Sequence, residues 1–235
     1  MRDLRYSFPD VPRTYWASGF IARSLDKKIV SGYPDGFFRP TQLVTRAEFA
    51  AIVAQAFNRP KIRRAVRFAD VPRNYWAAQY IQVAYEMGFL DTVSGSSFDP
   101  NARMSRADVL VALVKGLNLS ASRSTELLLQ TYGDLSDVPT ELRSILAIAT
   151  EYNLVVNYPD VRSLRPNQLA IRSEACAFIY QALVATGDAV AIDSPYVIGG
   201  ESGVPVAGDD DGDDDDGHDD DARDYLPQLR KNIHL

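Results

Sequence analysis

A five-residue stretch, Val44-Thr45-Arg46-Ala47-Glu48, returns in altered form as Met104-Ser105-Arg106-Ala107-Asp108 and again as Ala170-Ile171-Arg172-Ser173-Glu174. A chain that carries one local pattern three times is constrained to fold as copies of one unit. Thr45 followed three residues later by Glu48, ahead of an apolar stripe, has the form of a capping box. In that motif the hydroxyl accepts from one free backbone N–H of a helix start, and the carboxylate accepts from another. A helix is therefore expected to begin at each copy with an arginine on its first turn. Free N–H groups, the positive end of the helix dipole and a guanidinium together form a potential anion site.

The repeat extends on both sides of this stretch. Phe8-Pro9-Asp10-Val11-Pro12 and Tyr15-Trp16 recur as Phe68-Ala69-Asp70-Val71-Pro72 and Tyr75-Trp76, and the third copy is read as Asp137-Val138-Pro139 with Leu142 and Arg143 at the aromatic positions. The interval from this aspartate to the cap position is 35 residues in the first two units and 34 in the third. Before each motif lies a turn-rich loop. It reads Gly32-Tyr33-Pro34-Asp35-Gly36 then Phe38-Arg39-Pro40 in the first unit, and Asn157-Tyr158-Pro159-Asp160 then Leu164-Arg165-Pro166 in the third. The second departs, with Asp91-Thr92-Val93-Ser94-Gly95 before Phe98-Asp99-Pro100. Apolar residues at helical spacing flank the loop: Trp16, Phe20, Ile21, Leu25 and Ile29 on one side, and Phe49, Ile52, Val53, Ala56 and Phe57 on the other.

Each unit thus reads as helix, loop, helix, with both helices amphipathic. The units are set at residues 8–58, 68–118 and 132–184, followed by a tail over 185–235. The fold class is mainly α. Units of this size bury little surface alone, so three are expected to share one core as a pseudo-threefold domain. Between the first two units a strap carries Arg59, Lys61, Arg63, Arg64 and Arg67. Between the second and third, Glu126-Leu127-Leu128-Leu129 suggests a packed helical turn.

Composition narrows the function. Ten aspartates lie between Asp209 and Asp221, and setting them aside moves the formal charge from −6 to +4. The tail is accordingly a solvated polyanion beside a mildly basic body. With Gly212 or Gly217 at the glycine position of an EF-hand loop, its first ligand position falls on Ala207 or Gly212, so both frames fail, and no metal or cofactor is expected. Cys176 is the single cysteine, which excludes an internal disulfide framework, and the two histidines, His218 and His234, both fall in the tail. No Cys/His or Ser/His/Asp arrangement can be placed in the repeats, and the chain is read as no enzyme. No apolar run reaches transmembrane length, and Met1 to Ser7 is short and polar, with no visible export signal.

The linked elements Phe8-x-Asp10-Val11, Tyr15-Trp16, Gly32-x-Pro34-Asp35-Gly36-x-Phe38-x-Pro40 and Thr45-Arg46-Ala47-Glu48-Phe49 resemble an S-layer homology (SLH) repeat. The resemblance covers roughly residues 8–184, and the third copy is similar to the form seen in cyanobacterial members. It implies a non-catalytic module of the cell surface or periplasmic envelope. Such a module has grooves between repeats that bind an anionic polysaccharide linked to peptidoglycan, and its partners do not include nucleic acid. Carried over by position, the resemblance makes Arg46, Arg106, Arg172, Trp16, Trp76, Asp10, Asp70, Gly32 and Asp35 glycan-binding candidates. The first two units are expected to provide the better grooves. Ile171 cannot act as a side-chain cap, which costs about 1 kcal/mol of helix stability relative to threonine. The residues by themselves leave alternatives open. The arginines are as well suited to bracing the fold, the tryptophans to core packing and the aspartates to turn stabilisation. On that reading the chain is a structural or protein-interaction module without glycan binding.

Overall fold

The computed structural model describes residues 8–198. Seven α-helices occur among them: α1 (Ser18–Asp26), α2 (Arg46–Ala56), α3 (Ala78–Glu86), α4 (Arg106–Gly116), α5 (Thr125–Leu129), α6 (Arg143–Glu151) and α7 (Arg172–Ala185). Extended backbone in this region forms isolated bridges only. The architecture is mainly α, as the apolar periodicity predicts. The acidic run lies outside the described residues.

The two helices of a unit differ in kind. In α1, α3 and α6 the buried positions fall on one stripe, such as Phe20, Ile21 and Ser24 of α1. The motif helices α2, α4 and α7 are buried nearly all round. In α4 this holds for Arg106, Ala107, Val109, Leu110, Ala112, Leu113 and Val114, and in α7 for every residue from Arg172 to Leu183. A helix buried on all sides belongs to the centre of a domain. The motif helices are therefore the core, and the expectation that both helices of a unit are amphipathic holds only for the outer ones.

The units interlock. Helix α3 packs on α2, α6 on α4, and α1 on α7, while α7 also packs on α2 and α4. Each outer helix thus packs against the motif helix of the preceding unit in cyclic order, and the first unit completes the third. Three backbone hydrogen bonds close the ring ahead of the motif helices: Val44 N to Ala170 O at 2.9 Å, Ala170 N to Met104 O at 2.9 Å, and Met104 N to Val44 O at 3.2 Å. Val44, Met104 and Ala170 are all buried at this junction. Each apolar residue just before a cap is held by its counterparts in the other two units.

The connectors pack as well. Leu128 and Leu129 of α5 are buried, as Glu126-Leu127-Leu128-Leu129 predicts. Ile62 N and Arg63 N of the basic strap donate to Glu86 O. The chain beyond α7 also belongs to the packed body as far as Ile198. Lys27 Nζ donates to Asp188 O at 2.8 Å, Tyr180 Oη donates to Val190 O at 2.9 Å, and Val197 bridges Val156. The expected start of the tail at residue 185 thus falls within packed structure.

Candidate functional site

At the first motif the capping box forms as the sequence requires. Glu48 N donates to Thr45 Oγ1 at 3.1 Å, and Thr45 N donates to Glu48 Oε2 at 2.9 Å. Ser105 and Asp108 repeat the reciprocal pair. Ile171 offers no acceptor, so only the return half remains, from Ile171 N to Glu174 Oε2 at 3.0 Å.

The neighbouring N–H groups are not free. Arg46 N donates to Ala102 O and Ala47 N to Pro100 O; Arg106 N and Ala107 N meet Gln168 O and Pro166 O; Arg172 N and Ser173 N meet Gln42 O and Pro40 O. The anion nest expected from free backbone donors is therefore filled by carbonyls of the adjoining unit. Satisfying buried donors outweighs reserving them for a ligand, because an orphaned N–H is costly.

Each arginine reaches into the loop of the next unit. Arg46 Nε donates to Phe98 O at 2.8 Å and its Nη2 to Asp91 O at 2.6 Å, with the guanidinium 4.5 Å from the centre of the Phe98 ring. Arg106 Nε donates to Leu164 O at 2.9 Å, Nη1 to Glu174 Oε1 at 2.6 Å, and Nη2 to Asn157 Oδ1. Arg172 Nε donates to Phe38 O at 3.0 Å, and its Nη1 is 3.6 Å from Glu48 Oε1.

The three sites are unequal. Arg106 is 0% exposed, and burial lowers its pKa to about 10 against the support of Glu174. Arg172 is nearly as deep and paired. Arg46 makes no carboxylate ion pair among the described residues. Asp108, one methylene shorter than Glu48 and Glu174, turns back to its own cap. Burial lowers the Arg46 pKa, with Asp99, Asp108, Asp91 and Asp70 opposing at longer range.

The candidate aspartates act on the loops. Asp10 accepts from Phe38 N at 2.9 Å and Arg39 N at 2.6 Å; Asp70 accepts from Phe98 N at 2.8 Å and Asp99 N at 2.7 Å. In the third unit this role falls to Asp134, which accepts from Leu164 N at 2.9 Å and Arg165 N at 2.7 Å. Asp137, aligned with Asp10 from the sequence, does not take this place. The three clamped residues, Arg39, Asp99 and Arg165, have φ of 59°, 55° and 51°. Left-handed backbone at a non-glycine residue before proline persists only where surroundings impose it, and the carboxylate clamp does so.

Counting back from the outer helices also corrects the aromatic position. Trp16 and Trp76 stand two residues before α1 and α3, and two residues before α6 stands Glu141 rather than Arg143.

Loop one carries the remaining candidates. A Cβ at Gly32 would meet the Phe8 ring at 2.6 Å, so the loop needs glycine there for packing. Asp35 is exposed and pairs with Arg39 at 2.7 Å. That hydrogen bond, then one from Phe37 N, holds its carboxyl below the ordinary value. Tyr33 turns inward to Glu48 and lies beneath both Arg39 and Arg172, whose guanidinium carbons stand 4.2 Å and 4.8 Å from its ring centre.

The two tryptophans differ. Trp16 is half-buried, with its ring parallel to Tyr158 at 5.4 Å and an interplanar angle of 7°. Trp76 is 58% exposed and has one recorded ring contact, Tyr75. Among the described residues no group of three or more His, Cys, Asp or Glu side chains could hold a metal ion, and no helix is long and apolar enough to cross a membrane.

Comparison with known proteins bears on this arrangement. The S-layer homology domain model matches residues 7–50 and 67–110. The S-layer protein EA1 of Bacillus anthracis is 32% identical over 173 residues, covering 74% of this chain and 20% of that protein. An amylopullulanase of Thermoanaerobacterium thermosulfurigenes is 27% identical over 183 residues, which is 77% of this chain and 10% of the enzyme. A cellulosome-anchoring protein of Acetivibrio thermocellus is 27% identical over 117 residues, 47% of this chain and 26% of that protein. The chain spans a fifth or less of the first two of these relatives. The two stretches that match the S-layer homology domain, 7–50 and 67–110, contain the clamped loop, the capping box and the bracing arginine of the first two units.

Proposed function

We propose that this chain is a non-catalytic cell-envelope anchoring module that holds an anionic, peptidoglycan-linked wall polysaccharide in grooves between its repeats. The third helix-loop-helix unit is taken as a diverged third SLH repeat, because it reproduces the cyclic hydrogen bonds and the aspartate clamp of the other two. The relatives support a shared attachment part. An S-layer protein, an amylopullulanase and a cellulosome-anchoring protein have different names and share a segment that is a minor part of each.

The observation that carries the glycan reading is the state of Arg46. It is a guanidinium fixed by two carbonyls and an aromatic face, with no carboxylate paired to it among the described residues. Its Nη1 makes no recorded hydrogen bond, which leaves donors for a ligand carboxylate or phosphate. Trp76 adds an exposed flat ring at the start of α3, the type of surface on which a sugar face stacks. Arg172, Gly32, Asp35, Asp10 and Asp70 shape and position the loops beside these contacts. Arg106 acts as a brace.

Cosedimentation with purified wall sacculi tests this reading. The protein is expected to pellet with sacculi that retain their attached polymer and to remain in solution with stripped sacculi. Equal pelleting with both would exclude the polymer as the ligand.

A further inference from the structure

The groove between the third loop and the first outer helix already holds part of this chain. After α7 the backbone runs back along α1, from Asp188 O at Lys27 Nζ to Ile192, whose Cγ2 lies 3.5 Å from a Cβ built on Gly19. It then reaches Trp16. There Tyr196 meets two rings edge-on: Trp16 at 6.4 Å and 85°, and Tyr158 at 5.0 Å and 83°. Asn157 N donates to Tyr196 O at 2.9 Å and Ile198 N to Val155 O at 3.1 Å, so residues 196–198 add a short extended pairing to the edge of loop three. Ile198 is only 9% exposed.

The same groove has used its cation. Arg106 is fully buried, and each of its guanidinium nitrogens already has a partner, Leu164 O, Glu174 or Asn157. Asn157, which occupies the loop position of Gly32, provides a side-chain acceptor that glycine lacks. With Asn157 filling the interior, Tyr158 turns outward onto Trp16, whereas Tyr33 turns inward to Glu48. Both features a saccharide would need, an accessible ring face and a donor-rich cation, are satisfied within the chain.

We infer that residues 187–198 are a resident occupant of the Trp16 groove and close it to saccharide, leaving the Arg46 and Trp76 surfaces to bind. The assignment of this groove as a saccharide site rests on the function proposed above; its closure rests on the contacts of Trp16 alone. Since the chain has two tryptophans, Trp76→Phe and Trp16→Phe variants each report one groove. Acrylamide is expected to quench Trp16 several times less efficiently than Trp76. Tyr196→Ala, or Ile198→Pro, which removes the donor to Val155, should raise quenching of Trp16 severalfold with the helical circular dichroism retained. Equal quenching of the two tryptophans in otherwise unaltered protein would overturn closure, as would no response to either variant.

A second arm uses wall sacculi bearing their polymer. Emission from Trp16 should stay unchanged on binding in the Trp76→Phe protein and shift once Tyr196→Ala is added. A shift without Tyr196→Ala would refute exclusion of saccharide. If the unsubstituted chain does not pellet, the glycan reading fails, while the quenching result still decides closure.

Discussion

Arg106 Nη1 and Glu174 Oε1 lie 2.6 Å apart across 68 residues of sequence, both buried. Breaking a buried pair from one side leaves a desolvated charge, so Arg106→Ala is expected to destabilise the fold by about 3–5 kcal/mol. Glu174→Gln should have a comparable effect. Arg46→Ala removes charge-assisted bonds to two carbonyls at a partly exposed position and should cost ~1.5–3 kcal/mol. Urea denaturation of the three variants ranks them, and an Arg46→Ala protein less stable than Arg106→Ala would contradict the assigned roles.

The clamp on loop three distinguishes two aspartates three residues apart. Asp134→Ala removes both acceptors that hold Leu164 and Arg165 and should cost about 1–3 kcal/mol. The exposed Asp137 side chain accepts one hydrogen bond, from the neighbouring Ser136 hydroxyl, so Asp137→Ala should fall within about 0.5 kcal/mol of the parent. Thermal melts of the pair decide whether the sequence alignment or the observed geometry identifies the third-repeat aspartate.

Acid should loosen the loops. For Asp70, burial is the largest single influence and raises the pKa, but Phe98 N, the Ser97 hydroxyl and Asp99 N together bring the carboxyl below its ordinary value. Glu48 is also lowered, with burial again outweighed by Tyr33, Thr45 and Arg172. A carboxylate with a depressed native pKa contributes stability that is complete above its unfolded value, near pH 4, and is lost as pH falls through the native value. The melting temperature should therefore be level from neutrality to about pH 5 and fall below about pH 4. Asp70→Asn should reduce the size of that fall.

Cys176 provides an internal check on the core. Its thiol is buried within α7, and burial pushes its pKa up to about 11. A maleimide reagent at pH 8 should leave the native protein unlabelled and react fully in guanidinium, since only the exposed thiolate is nucleophilic. Rapid native labelling would show that α7 is not central.

What was legible in the sequence was local. The Thr45–Glu48 and Ser105–Asp108 boxes span three residues, and apolar spacing located the helices. The partner of each arginine was not legible, because it comes from the next unit in a cyclic order that no single repeat displays. Asp137-Val138-Pro139 matches the earlier repeats as a string, yet three added residues between Asp134 and Val138 move the clamp upstream. The signal that would have found Asp134 is Tyr132-Gly133-Asp134-Leu135, which parallels Phe8-Pro9-Asp10-Val11. Closure of the Trp16 groove was likewise hidden, since Tyr196 lies beyond the last repeat in a stretch without helical period.

Binding of the full chain to polymer-bearing sacculi, measured for the parent and for the Arg46→Ala, Trp76→Ala double variant, tests the groove assignment most directly. The variant should remain folded by circular dichroism and bind at least about tenfold more weakly, a loss of roughly 1.4 kcal/mol or more. A folded double variant that binds as tightly as the parent would contradict polysaccharide recognition through these residues.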